Sequence, residues 1–123
     1  MQNKKEVFGP VALSATLTTN IVAPAAAGAS AVGYTATADY LLISHIRLVN
    51  KTNASHTVTL YKGATGANAA GTELCLAKVV PANDYIDMFF APFRLEGTNG
   101  FIVGGADAGT AITFIAFGEI GKV

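Results

Sequence analysis

The chain has 123 residues, 51% of them hydrophobic and 13% charged, with Lys plus Arg and Asp plus Glu each at 8. That length fits one domain able to bury about two-thirds of the surface its unfolded form exposes, and zero net charge gives no basic field to gather nucleic acid or anionic lipid. No apolar run nears the roughly 20 residues a membrane helix needs, and a lone cysteine, Cys75, excludes an internal disulfide.

In chain order, residues 1–10 (MQNKKEVFGP) read as a flexible, extended N-terminal tail, and 11–123 as the domain. The start lacks the continuous apolar core and cleavage site of a secretory signal. Strands are predicted near 11–22, 34–39, 41–50, 56–62, 73–80, 84–91, 99–104 and 110–120, where β-branched and apolar residues alternate. The separators carry turn chemistry: NKTNAS at 50–55, GATGANAAG at 63–71, PAND at 81–84, EGTNG at 96–100 and GGADAG at 104–109. The small side chains of APAAAGASAVG at 23–33 bury little, so this stretch is expected to be a loop, or an arm that orders against a neighbour. A helix over 67–78 competes with a loop feeding a strand; Gly71-Thr72 and Val79-Val80 favour the strand. The predicted fold is all-β: a single antiparallel β-sandwich, jelly-roll-like, of about eight strands.

The two histidines, His45 and His56, lie in LLISHIRLVNKTNASHTVTLYKG. Taken as a hairpin, this stretch puts Ile46, Leu48, Val58 and Leu60 on one apolar face if Leu48 stands opposite Val58. His45, Arg47 and Val49 then share the other face with Tyr61, Thr59 and Thr57, and the two imidazoles point to opposite faces more than about 15 Å apart. Such a pair cannot share a metal or a proton relay, and Ser44 and Ser55 point away from the adjacent imidazoles, so no nucleophile has its base. His45 and Arg47 read as a polar outward face, with a subunit contact next and catalysis last.

Other patterns carry less. Asn50-Lys51-Thr52 and Asn53-Ala54-Ser55 match the glycosylation pattern, but asparagine is also explained there by bonds to its own turn. GATGANAAG lacks the Gly-Lys-Ser/Thr ending of a phosphate loop. Asp84 and Asp87 read as solvated carboxylates, with no alternating oxygen ligands of a calcium loop around them. Asp39, Glu73, Glu96, Asp107 and Glu119 are scattered over separate elements. Cys75, within LCLA, reads as a small buried hydrophobe. No catalytic residue, metal site or cofactor is expected.

Two strands are apolar on both faces. In AITFIAFGEI, Ile112, Phe114 and Ile120 oppose Ile115 and Phe117; in DYIDMFFAPF, Ile86, Met88 and Phe90 oppose Tyr85 and Phe89. A sheet facing water should show one polar face, so these strands are expected to be covered on both sides, by the N-terminal segment or by another protein. Aromatics and arginine dominate protein interfaces, which makes Phe8, Tyr85, Phe89, Phe93, Arg94 and Phe117 the candidate anchors.

The succession ALSATLTTNIVAP, LLISHIRLVNKT, HTVTLYKGATG, VVPAND, APFRLEGTNG and a final glycine-punctuated strand resembles small accessory virion proteins of tailed bacteriophages. The resemblance covers most of 11–121, and its most specific part is IRLVN with VTLYKG. It implies a β-sandwich or jelly-roll decoration or cement protein on the capsid surface, with the major capsid protein and copies of itself as partners, as a dimer or trimer. A neck, tail or fibre component is the alternative within the virion. A carbohydrate-binding sandwich is the alternative outside it, thinly supplied with sugar platforms by 4 tyrosines and no tryptophan. An enzyme is the least expected, since the two histidines are separated and no nucleophile has a base nearby.

Overall fold

The computed structural model describes residues 4–17, 39–63, 72–96 and 101–122. They form seven strands: β1 (Lys4–Ala12), β2 (Asp39–Asn50), β3 (His56–Gly63), β4 (Glu73–Val80), β5 (Tyr85–Glu96), β6 (Phe101–Ala106) and β7 (Ile112–Lys122). One antiparallel sheet runs β1-β7-β2-β5 and the other β4-β3-β6. The links β2 to β3, β4 to β5, β5 to β6 and β6 to β7 each change sheet. This interleaving makes the sandwich jelly-roll-like; of the strand expected at 34–39, all but Asp39, which begins β2, lies outside the described residues.

Alternation builds the core. Ile46 and Leu48 of β2, Phe114 and Ala116 of β7, Val58 and Leu60 of β3 and Ile102 of β6 are all fully buried, each large aliphatic contributing about 1.5–3 kcal/mol by leaving water. The hairpin expected for 41–63 does not form: β2 lies between β7 and β5, and β3 between β4 and β6. The four residues assigned to its apolar face do face the core, but from opposite sheets. Period-2 alternation fixes which face of a strand is apolar and leaves its partner open; crossing the sandwich lets both apolar faces cover each other.

Departures from regular pairing shape the first sheet. Leu41 and Ile43 are buried, as are Ile46 and Leu48, so the burial parity of β2 changes at Ser44. Its register to both β5 and β7 shifts between Ile43 and His45, the mark of a β-bulge. In β5 the shift falls between Phe89 and Phe93, where Pro92 lies in a strand at the sheet edge, the position proline tolerates. Residues 4–10, expected as a tail, belong to β1, with Lys4–Phe8 registered on Ile120–Ala116. That pairing covers an edge of the apolar β7.

The arch after β2 is held by Asn50, 1% exposed. Its Nδ2 donates to the carbonyls of Ala54 (2.8 Å) and Val80 (3.0 Å), and its Oδ1 accepts from the Thr52 N–H (2.9 Å) and hydroxyl (2.8 Å). The Pro81–Asp84 turn docks on the same arch through Asn83 N–H to Thr52 O (2.8 Å) and Asn50 N–H to Asp84 O (2.8 Å). Asn83 takes φ 53° there, as its turn chemistry predicts. The stretch 73–78, for which a helix competed, is strand. The 23–33 and 64–71 segments lie outside the described residues.

Candidate protein-binding face

The outer surface of the first sheet gathers side chains from three neighbouring strands. Register brings His45 of β2 between Phe89 of β5 and Phe117 of β7, and Arg47 between Asp87 and Ile115. The His45 ring stacks on Phe89 at 4.3 Å and 17°, and on Phe117 at 4.7 Å and 19°. Such cross-strand ring pairs are each worth about 0.5–1.5 kcal/mol beyond area burial. One pair further along the strands, Arg47 donates from Nε to Asp87 Oδ1 (2.8 Å) and from Nη2 to Oδ2 (3.1 Å), while His45 Nε2 stands 2.8 Å from the same Oδ1. The guanidinium also covers the Tyr85 ring at 4.6 Å, a cation–π contact.

Asp87, read from sequence as a solvated carboxylate, is therefore the hub of this face and 22% exposed. Its partners lie 40 and 42 residues away, beyond any local pattern. The only trace in the sequence is spacing: Tyr-X-Asp-X-Phe on one strand and His-X-Arg on the other have matching periods of two. The bond from Arg47 holds the Asp87 carboxyl below its ordinary 3.8, aided by the bond to His45 and opposed by burial. Asp87 in return raises the Arg47 guanidinium.

A depressed carboxylate pKa contributes stability above the unfolded value and loses it as pH falls through the folded one. Wild type is thus expected to melt above Asp87→Asn at pH 7, with the gap closing below about pH 4. Thermal melts from pH 7 to pH 2 measure this; a gap unchanged at the acid end contradicts the assignment.

The six sequence candidates separate. Tyr85, Phe89 and Phe117 meet on this outer face, with Tyr85 52% and Phe89 75% exposed. Phe93 lies on the core side, packed edge-on to Phe90 at 5.6 Å with Lys62 over its ring at 5.5 Å. Arg94 is exposed and registers on Leu42, past the bulge. Phe8 registers on Ala116 in β1, and its side chain lies outside the described part.

The remaining polar clusters are small. His56 Nδ1 stands 2.9 Å from Asp107 Oδ1, which also accepts from the Thr57 N–H at 3.2 Å. A recess of about 210 Å³ beside them is lined by Thr57, Thr59, Gly105 and the Ala15–Leu17 segment. The two histidines sit in different sheets. Among the described residues no three His, Cys, Asp or Glu side chains come together as a metal site. Cys75 packs against the core, and burial pushes its thiol up, which keeps it protonated and unreactive at neutral pH. Among the described residues no helix is long and apolar enough to cross a membrane.

No protein-family model matches the chain, and no curated protein or solved structure matches it either.

Proposed function

We propose that this chain is an accessory structural protein of a tailed-phage virion, a decoration or cement protein that binds the outside of the head and braces the joints between major capsid subunits. The observation that carries the adhesive part of this reading is the outer face of the first sheet. Phe89 and Tyr85 stand exposed there while the charges beside them, Arg47 and Asp87, are paired with each other and the His45 ring bonds to the same carboxylate. Such a face gives up apolar area to a partner without stripping water from an unpaired charge. The phage setting rests on the sequence resemblance. Many copies on a repeating lattice turn a modest contact into durable cross-linking.

The test is rebinding. Particles stripped of this protein and supplied with it again are expected to recover near one copy per major capsid subunit and to release their DNA at a higher temperature. Tyr85→Ala is expected to weaken rebinding at least about tenfold, as loss of a central aromatic anchor does. Failure to rebind the shell overturns the reading, and recovery at only dozens of copies per particle moves the protein to the neck or tail.

A further inference from the structure

The edge of β5 adds a feature that the adhesive face does not account for. β5 ends the first sheet, with β2 on one side and no described strand on the other. From Tyr85 to Phe89 it pairs with β2 in one unbroken register, and only beyond, at the shift that contains Pro92, does the ladder break. The stack Phe117–His45–Phe89 runs across the strands toward that edge and ends on Phe89. One face of the Phe89 ring is covered by His45, yet the residue is 75% exposed, more than any other large hydrophobic among the described residues.

We propose that β5 is a self-association edge, where two copies of this chain pair their Asp87–Ala91 stretches antiparallel about a two-fold axis at Phe89 and carry the ring stack into the partner. The charge balance selects the occupant. Arg47 and Asp87 cancel within one copy through two hydrogen bonds, so an acidic or basic partner finds no unanswered charge, whereas a second copy brings an equally neutral edge. A two-fold contact is self-complementary: one strand edge with no described neighbour and one terminal aromatic meet their equals. Pro92 has no N–H to give and bounds the pairing.

The other edges are blunted. β4 is broken by two register shifts and by Ala77 at φ 46°. Beside β6 the Ala106 N–H is taken by Ser14 O at 2.9 Å. β1 is interrupted by a register shift between Phe8 and Val11 and by Pro10, which has no N–H to give. The two-fold of an antiparallel pair stands perpendicular to the sheet, so both outer faces look the same way and form one doubled adhesive surface.

This pairing stands on the geometry of β5 and not on the phage reading. Sedimentation of the purified protein over a range of concentrations tests it. A reversible monomer–dimer equilibrium is expected, weakened at least about tenfold by Phe89→Lys, weakened also by Phe89→Ala, and unchanged by Leu76→Lys on the exposed β4 edge. Melting curves establish that each variant is folded, and if Phe89→Lys is not, Phe89→Ala carries the test. A monomer at every concentration overturns the proposal, as does a dimer indifferent to both Phe89 variants or lost equally in Leu76→Lys. A monomer that still rebinds stripped heads overturns this pairing alone; a β5 dimer that does not rebind overturns the shell reading alone.

Discussion

Asn50→Ala is expected to cost about 3 kcal/mol of stability, seen as a fall of roughly 10 °C in the melting temperature of a domain this size. The side chain uses all of its bonding capacity: two donations to carbonyls of Ala54 and Val80, two acceptances from Thr52. Val80 is itself fully buried, and water does not replace the lost donor inside the core without opening it. The same arch carries β2 from one sheet to β3 in the other, so its loss loosens the crossover that defines the sandwich. Asn53→Ala, an exposed residue of the same loop, is expected to stay within about 0.5 kcal/mol. Equal effects of the two substitutions would contradict the role given to Asn50.

Gly118→Val is expected to be at least as damaging, with a loss of about 3 kcal/mol or more, read as a lower denaturant midpoint at unchanged slope. A Cβ on Gly118 would run into the Leu42 carbonyl oxygen and lie 2.9 Å from its carbon and 3.1 Å from the Ile43 Cα. All three are backbone atoms of β2 just before the Ser44 bulge, so no rotamer change relieves the clash. Moving β7 away to make room also displaces Phe117, the next residue, from its stack on His45. Gly109→Ala is the comparison: its added methyl meets nothing nearer than the Ala15 nitrogen at 4.0 Å, and a change within about 0.5 kcal/mol is expected.

Most strands were legible because their apolar residues alternate; the first was not, since 11–22 was expected whereas β1 is Lys4–Ala12 and residues 13–17 are not strand. The predicted 56–62 and 73–80 coincide with β3 and β4 to within a residue. Parity also placed Tyr85 and Phe89 opposite Ile86, Met88 and Phe90, and the structure keeps that division. What alternation does not carry is the partner of a strand. NKTNAS suits a hairpin turn as well as an arch between sheets, and the difference lies in the Asn50 bond to Val80, 30 residues on. The Ser44 bulge did leave a trace. Leu41 and Ile43 have one parity and Ile46 and Leu48 the other, and only an extra residue lets all four face the core.

The candidate face was half legible for the same reason. Exposed aromatics on a strand already apolar on its inner side mark Tyr85, Phe89 and Phe117 from composition and period alone. The charge network did not show, since Asp87 looks like any turn-proximal acid until β5 is laid beside β2. Phe93 went the other way: the bulge at Pro92 reverses the parity of β5, so a residue that alternation puts outside with Phe89 packs inside with Phe90.

Hydroxyl-radical footprinting of the protein, free and mounted on intact phage heads, tests most directly whether the outer face of the first sheet is what holds the partner. Oxidation of Tyr85 and Phe117 is expected to fall on mounting while Leu76 and Val79, exposed on β4 of the other sheet, keep their free-state rates. The reverse pattern, with β4 protected and the β5–β2–β7 face oxidised as before, would contradict it.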